Sequence, residues 1–308
     1  MTTLPRRALG RTGLEVTSLS YGAMELRGTP AGPEVSDEQA ERVLNATLDA
    51  GINFIDTAPD YGRSEERIGA SIARRRAEYF LASKCGCVPG VGMSGEHVHT
   101  AENIRAGVEQ SLRRMRTDYL DLVQFHRSLT PREFEEHGAL AELQRMQREG
   151  KVRFIGVSGT LPNLSAQIAM GVFDAFQIPY SALQREHEDV IARASASGAG
   201  IIIRGGVARG APMDWRRTYY MQPGSIPRDR WEQAQLDELL GGMDRMEFTL
   251  RFTLSHPDLD TTIVGTRDVG HLQANVDAAV KGPLPPDVVA EAKRRLAEAG
   301  SRPQPVAR

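Results

Sequence analysis

Short apolar runs recur along the chain, and most are followed by a segment whose apolar residues have helical spacing. Several of these runs are continuous rather than alternating, which indicates strands that are covered on both faces. Such strands are typical of a parallel sheet with helices packed outside it. The predicted strands cover residues 16–22, 52–56, 79–84, 120–126, 152–158, 175–180, 200–205 and 261–265.

Helix signals lie between the predicted strands. The spacing of Ser36 and Gln39 is that of a capping box, which predicts a helix beginning there. A second helix is predicted over residues 130–150, because Pro131 stands at its first position. A third is indicated by the apolar stripe of Ile104, Val108, Leu112 and Met115. These stripes are typical of core faces, so no function is assigned to them.

Eight strand–helix units favour a closed (β/α)8 barrel over an open doubly wound sheet. An open sheet usually has a G-x-G-x-x-G motif after its first strand, and no such motif follows residues 16–22. Alternating apolar residues also predict a β-hairpin at about residues 7–18, placed to close the bottom of the barrel. We therefore predict one α/β domain over residues 1–308, a TIM barrel with an N-terminal β-hairpin and a short polar tail at 301–308.

Composition narrows the classes of partner. The chain has 308 residues and a formal charge of −2, so net charge gives no reason to expect nucleic acid or an anionic membrane. Its two cysteines, Cys85 and Cys87, are too few for a four-ligand structural zinc site, so reduced thiols and no metal are expected. No stretch approaches the roughly 20 apolar residues of a membrane span, and a cytoplasmic location is predicted.

Polar residues stand at the ends of three consecutive predicted strands, namely Asp56, Lys84 and His126, and Tyr61 follows closely after the first. In a barrel these strand ends meet at one mouth. A lysine ammonium near a tyrosine lowers the pKa of the phenol, which would make Tyr61 a usable general acid. Asp56 would be the counter-ion of Lys84, and His126 would position the substrate oxygen. None of the four donates hydride, so reduction requires a cofactor.

With these four positions the chain resembles the aldo-keto reductases. The resemblance runs through LGRTGLEVTSLSYGAM, GINFIDTAPDYGRSEERIG, LASK, DYLDLVQFH, GKVRFIGVSG, FQIPYS and IVGTRDVGHLQANV. It implies a (β/α)8 barrel that binds a nicotinamide cofactor, usually NADPH, without a Rossmann domain. It also implies that Asp56, Tyr61, Lys84 and His126 are the catalytic tetrad. The predicted function is NADPH-dependent reduction of an aldehyde or ketone to an alcohol, with NADPH (NADP+) preferred to NADH.

The resemblance implies residues at the nicotinamide end of the cofactor. Ser158 and Gln177 match the family positions that hold the carboxamide, whereas Gly159 stands where the family has Asn. Water or a backbone group would then replace one hydrogen bond. Arg204 stands where many members place a tyrosine that stacks on the nicotinamide, and a planar guanidinium can cover the ring or bind the pyrophosphate.

At the adenosine end, Arg267 is expected to pair with a 2′-phosphate, near a helix N-terminus that favours phosphate. The family's frequent Lys and Glu are replaced by Gly265 and Ala274. The residues expected to bind the cofactor are Gly22, Met24, Asp56, Ser158, Gln177, Arg204, Val207, Gly265, Thr266, Arg267, His271 and Asn275.

The sequence is also consistent with two other functions. Lys84 at a strand end is also consistent with a Schiff-base aldolase. A cofactor-binding redox sensor with little turnover, similar to the potassium-channel β subunits, is the third possibility. A small-molecule carbonyl is the expected substrate, whose identity would depend on Met24, on residues 85–98, on the residues just after His126 and on residues 210–231. The excursion at 210–231 is a candidate substrate lid or a packed surface segment, and Asp60 is expected to serve the turn that presents Tyr61.

Overall fold

A computed structural model describes residues 3–88, 97–213 and 229–305. Its strands are β1 (Arg6–Ala8), β2 (Glu15–Thr17), β3 (Leu19–Gly22), β4 (Phe54–Asp56), β5 (Phe80–Cys85), β6 (Leu120–Phe125), β7 (Val152–Ser158), β8 (Ala175–Pro179), β9 (Gly200–Arg204) and β10 (Thr261–Val264). Strands β3 to β10 pair in parallel and in chain order, and β10 pairs with β3, so eight strands close a barrel. The predicted (β/α)8 fold is confirmed.

Helices surround this barrel and cover its outer face. They are α1 (Asp37–Asp49), α2 (Ser64–Ile72), α3 (Ala101–Met115), α4 (Pro131–Glu136), α5 (Ala139–Arg148), α6 (Asn163–Ala169), α7 (Glu188–Ala196), α8 (Asp229–Gln233), α9 (Arg245–Leu254), α10 (Val269–Val280) and α11 (Pro286–Glu298). The large apolar cluster between helices and strands is buried, as the apolar stripes predicted. In the described ranges, no helix combines the length and apolarity needed to cross a membrane.

The predicted N-terminal hairpin is present, and it closes one end of the barrel. Strands β1 and β2 pair antiparallel. Leu9, Leu14 and Val16 pack with side chains of the barrel interior, including Phe54 and Leu122. Because these hairpin side chains enter the barrel, water is kept from its lower end.

Three local predictions need correction. The first predicted strand is two strands, because Thr17 ends the hairpin and its N–H donates to the Asn53 side chain at 2.8 Å. The helix predicted over 130–150 is broken into α4 and α5 at Gly138, whose φ of 69° is left-handed. The capping box at Ser36 is only half formed. Ser36 accepts from the Gln39 N–H at 3.1 Å, but the Gln39 side chain donates to another loop, at the carbonyl of Arg267.

Alternation along the strands sets which side chains face the barrel interior. The apolar interior layer includes Phe54, Ala82, Leu122, Ala175 and Ile202. Residues two apart on a strand point to the same side of the sheet. The next interior layer, toward the C-terminal mouth, therefore consists of Asp56, Lys84, Gln124, Gln177 and Arg204. The fold thus places a polar layer directly above an apolar one.

Candidate active site

Lys84 and Asp56 form a buried ion pair in the polar layer, with 1% and 2% of their surface exposed. The Lys84 ammonium donates to both carboxylate oxygens of Asp56 and to the carbonyl of Thr57 at 3.0 Å. These three acceptors match the three protons of an ammonium group. Asp56 is therefore the counter-ion of Lys84.

Gln177 extends this pair toward β7. Its amide nitrogen donates to the two oxygens of Asp56 at 2.8 and 3.1 Å. Its amide oxygen accepts from the Ser158 hydroxyl at 3.2 Å. Ser158 and Gln177 are also paired in register on the neighbouring strands. The two residues predicted to hold a carboxamide are thus joined to each other and, through Asp56, to the tetrad.

Tyr61 lies in the turn after β4, where its N–H donates to the carbonyl of Ala58 at 3.1 Å. Its hydroxyl lies 3.4 Å from Nε2 of His126, and the two rings meet edge to face. The backbone N–H of His126 donates to the carbonyl of Cys85 at 3.1 Å, which fixes the histidine just beyond β6. The structure therefore brings all four predicted catalytic side chains to the same mouth. They form two pairs, Asp56 with Lys84 and Tyr61 with His126.

The pKa of Tyr61 is shifted in the direction opposite to the prediction. Burial raises it, and the negative charges of Asp56 and Asp60 raise it further, while the Arg204 guanidinium acts to lower it. The prediction of a lowered pKa is therefore wrong for this structure, because burial and the two carboxylates outweigh the nearby cations. The Tyr61 phenol is consequently held in its protonated form.

Asp60 lies in the turn before Tyr61, but its carboxylate faces the tetrad. Its Oδ2 atom lies 3.4 Å from Nδ1 of His126 and 3.9 Å from Nε2 of His97. Burial acts to raise the pKa of Asp60, yet the hydrogen bond and charge of His126 outweigh burial and the net pKa is lowered. Asp60 thus lies in the turn that presents Tyr61, as predicted, and its carboxylate also contacts His126, which the sequence did not indicate.

Two arginines carry buried donors suited to an anionic ligand. Nε of Arg204 and Nη1 of Arg267 are buried, and neither has a hydrogen-bond partner in the part of the chain that the structure describes. Burial, followed by the charge of Arg209, lowers the pKa of Arg204 to about 10, so it stays protonated at neutral pH. Unsatisfied guanidinium donors are costly unless a ligand completes them. Both positions therefore fit the phosphates of a nicotinamide dinucleotide.

The start of α10 differs from the expected phosphate site. Asp268 caps this helix and accepts from the N–H of His271 at 2.8 Å. Tyr21 donates its hydroxyl proton to the carbonyl of Thr266 at 2.6 Å, which anchors the loop before the cap. Because Asp268 already satisfies a first-turn donor, the side chain of Arg267 is the better candidate for a phosphate contact than the helix end.

Two departures from the family pattern have a steric reason. A Cβ atom at Gly159 would lie 2.6 Å from Oε1 of Gln167 and 3.0 Å from a methyl group of Leu164. A Cβ atom at Gly265 would lie 2.5 Å from the carbonyl oxygen of Gly22. A side chain at Gly265 would collide with the backbone, so the family's Lys has no room there, whereas one at Gly159 would have to displace the ends of the Gln167 and Leu164 side chains.

The remaining predicted positions surround these residues. Gly22, Met24, Val207 and Asn275 are partly buried, and His271 is exposed on α10. Gln124 was missed, although its spacing from Leu122 could have placed it inward. It pairs in register with Lys84, and neither atom of its amide has a partner among the described residues. Residues 89–96 and 214–228 lie outside the described residues, so the roles predicted for the 85–98 and 210–231 segments stay predictions.

Comparison with known proteins gives a consistent family. A model described as the aldo/keto reductase family matches residues 18–296. The aldo-keto reductase str7 of Strobilurus tenacellus is 31% identical, with 97% of this chain and 94% of the relative covered. The L-galactose dehydrogenase of Arabidopsis thaliana is 27% identical, with 91% and 90% covered.

A solved structure gives the same result. The holo form of aldo-keto reductase AKR11C1 from Bacillus halodurans superposes with a TM-score of 0.81 at 26% identity, covering 95% of this chain and 96% of that one. The family match extends over nearly the whole barrel and includes every residue of the tetrad. The chain therefore belongs to the aldo/keto reductase family and is an NAD(P)H-dependent oxidoreductase acting on carbonyl compounds.

Proposed function

We propose that the protein uses NADPH to reduce an aldehyde or ketone to an alcohol, with Tyr61 as the general acid. The observation that carries this proposal is the row formed by Tyr61, His126 and Asp60, in which each group lies 3.4 Å from the next. A row of this kind can hold and pass a proton at the mouth of a barrel.

The residues around the tetrad fit a nicotinamide dinucleotide. Ser158 and Gln177 would hold the carboxamide, Arg204 would lie against the nicotinamide or the diphosphate, and Arg267 would pair with the 2′-phosphate. When bound, NADPH supplies the hydride that the protein side chains cannot. The unpartnered buried donors of Arg204 and Arg267 support this arrangement. The preference for NADPH rests on Arg267, because a guanidinium binds phosphate in a fork of two hydrogen bonds.

Tyr61 is suited to giving its proton late in the reaction. Because burial raises its pKa, the phenol stays protonated until negative charge develops on the substrate oxygen. An alkoxide is a stronger base than a phenolate, so proton transfer from Tyr61 to the substrate oxygen is favourable at that moment. His126, when protonated on both nitrogens beside Asp60, donates from Nε2 to the substrate oxygen or returns a proton to Tyr61.

The contacts of Lys84 disfavour the aldolase alternative. A Schiff base requires a neutral amine with a free lone pair, whereas the Lys84 ammonium is engaged with Asp56 and Thr57. A redox sensor with little turnover differs from a reductase only in rate, so turnover decides between them. A cytoplasmic location remains part of the proposal and agrees with two free thiols at Cys85 and Cys87.

Steady-state assays test the proposal. The protein is mixed with NADPH and a panel of aldehydes and ketones, and loss of cofactor absorbance is followed. For an active substrate, Tyr61→Phe should lower kcat by about 10²- to 10⁴-fold, the range for loss of a general acid. Binding of NADPH, measured by fluorescence, should be retained in the variant. Equal rates for Tyr61→Phe and the wild type would contradict the assignment of the acid, and tight binding without turnover on any carbonyl would favour the sensor.

A further inference from the structure

Four metal-binding side chains converge beside the tetrad: Asp60, Cys87, His97 and His126. One ligand atom from each lies within 4.8 Å of the others. Asp60 belongs to the turn after β4, Cys87 follows β5 and His126 follows β6. The backbones of Cys87 and His97 form an isolated antiparallel bridge, which holds His97 in place. We name these four residues the Asp-Cys-His-His cluster.

The distances within the cluster approach those of a tetrahedron. Cys87 Sγ lies 3.3 Å from Nδ1 of His126 and 3.6 Å from Nε2 of His97. Asp60 Oδ2 lies 3.4 Å from Nδ1 of His126 and 3.9 Å from Nε2 of His97. With Zn–N and Zn–O bonds of about 2.1 Å and a Zn–S bond of about 2.3 Å, neighbouring ligand atoms in a tetrahedral site lie about 3.4–3.7 Å apart. Three of the six ligand-to-ligand distances are therefore already close to this geometry, and the Asp60–His97 distance of 3.9 Å is slightly longer.

Charge and burial give a second, independent indication. Asp60 is 9% exposed and Cys87 is 1% exposed. The Oδ1 atom of Asp60 is buried and has no hydrogen-bond partner in the described parts of the chain. A thiolate and a carboxylate together neutralise a divalent cation, which removes the cost of placing that charge in a buried site. One sulfur, two imidazoles and one carboxylate form a ligand set that suits zinc.

We propose that the Asp-Cys-His-His cluster binds one zinc-like divalent cation through Cys87 Sγ, His97 Nε2, His126 Nδ1 and one oxygen of Asp60. The sequence-based expectation of no metal considered cysteines alone. His126 reaches the site because β5 and β6 are neighbours in the barrel, and His97 reaches it through its backbone bridge to Cys87.

One neighbouring contact must change when the metal binds. The Arg127 side chain donates to Nδ1 of His97 at 3.1 Å. A neutral histidine that binds metal through Nε2 carries its proton on Nδ1, so the two groups would then both be donors. Arg127 is exposed, so replacing it disturbs no buried packing. Removing its guanidinium with Arg127→Leu should therefore tighten metal binding rather than weaken it.

Metal binding would also change what His126 can do. A cation on Nδ1 fixes the remaining ring proton on Nε2 and takes the place of the contact with Asp60. His126 could then no longer carry the second proton that it would return to Tyr61. We expect reversible inhibition of carbonyl reduction by the metal, a consequence that rests on the proposed function. The binding site itself does not rest on it.

Titration of the full chain with Co²⁺, in the absence of NADPH, tests the site directly. A tetrahedral Co²⁺ with one thiolate ligand gives strong ligand-field bands and a sulfur-to-metal charge-transfer band, and zinc should displace it. Cys87→Ser should abolish the charge-transfer band. His97→Ala should weaken binding by more than about 100-fold, the upper end of the loss caused by removing an outer-shell partner. The matched control is Cys85→Ser, which removes the other buried thiol and should leave the spectrum unchanged.

Several results would overturn the metal site. They are octahedral spectra without a charge-transfer band, equal affinity in wild type and His97→Ala, loss of the band in Cys85→Ser, or weaker binding in Arg127→Leu. Circular dichroism of each variant shows whether it is folded. In assays of carbonyl reduction, zinc should lower the rate of the wild type and a chelator should restore it. Zinc should not change the rate of Cys87→Ser. If no carbonyl is reduced at all, the spectra still decide the site, so failure of the two proposals can be distinguished.

Discussion

The carboxylate of Asp60 lies 3.4 Å from Nδ1 of His126, on the ring nitrogen opposite the one that faces Tyr61. His126 therefore lies between the Tyr61 phenol and the Asp60 carboxylate. A carboxylate in this position orients the imidazole and stabilises its protonated form. The same contact explains why the pKa of Asp60 is lowered although its carboxylate is buried.

Asp60→Asn tests this support of His126. The substitution keeps the size of the side chain and removes its charge, so the imidazolium loses its anion. We expect kcat for an aldehyde to fall by about 10-fold or more, part of the range for acid–base catalysis, with little change in KM. Asp49→Asn is the control, because Asp49 is exposed on α1 and contacts Arg75. An unchanged kcat in Asp60→Asn would mean that the contact has no catalytic role.

Gly159→Ala tests whether packing excludes a side chain at this position. The added Cβ would press on Gln167 and Leu164, so we expect the free energy of unfolding to fall by about 1–3 kcal/mol. The matched control is Gly107→Ala in α3, where the nearest atom to a Cβ is 3.9 Å away. Urea unfolding of both variants measures the difference. Gly159→Asn should be destabilised at least as much and should not gain NADPH affinity, and equal stability of the two alanine variants would contradict the packing argument.

The sequence alone predicted the barrel and brought four candidate catalytic residues to its mouth, but it did not predict how these residues are arranged. A continuous apolar run indicates a buried strand, and the end of such a strand lies at the mouth of the barrel. The positions of Asp56 and Lys84 could therefore be predicted from the residues next to them. The close approach at Gly159 is to side chains of a different element, α6, and no local pattern carries that information. The contact of Asp60 depends likewise on His126, 66 residues later, and the pKa of Tyr61 depends first on its burial and then on several nearby charges.

Arg267→Ala tests the proposed cofactor preference. Loss of a charge-assisted fork to a 2′-phosphate costs about 1.5–3 kcal/mol, so KM for NADPH should rise by roughly 10- to 100-fold. KM for NADH should stay nearly constant, because NADH lacks that phosphate. Arg42→Ala, which removes an exposed arginine of α1, is the control. Equal increases for both cofactors would place Arg267 away from the 2′-phosphate.

We predict that the protein loses stability in mild acid because His187 is buried in its neutral form. Burial, followed by the charge of Arg204, lowers its pKa to about 4, and its neutral Nε2 accepts from the N–H of Leu161 at 3.2 Å. The unfolded chain binds this proton near pH 6.5, whereas the native state does so only near pH 4. Stability from this group is therefore complete above about pH 6.5 and is lost as the pH falls toward 4, by at most about 3 kcal/mol.

Urea unfolding at pH 7 and pH 4.5 measures this loss, and His187→Gln should reduce the difference between the two midpoints. His99 also has a pKa lowered to about 4 by burial, so part of the dependence should remain in the variant. The prediction fails if the wild type and His187→Gln lose the same stability between the two pH values.

The hairpin near the start of the chain is hydrogen-bonded to residues from the last part of the barrel to be synthesised, Gly198 and Asp260. The N–H of Gly10 donates to the carboxylate of Asp260 at 3.1 Å, and the N–H of Arg11 donates to the carbonyl of Gly198 at 2.9 Å. Leu9 lies inside the barrel rather than on its surface. A nascent chain can therefore complete the lower end of its barrel only after most of its residues have been synthesised. A shortened N-terminus would alter the interior of the finished enzyme, and expression tags belong ahead of Leu4 or at the other terminus.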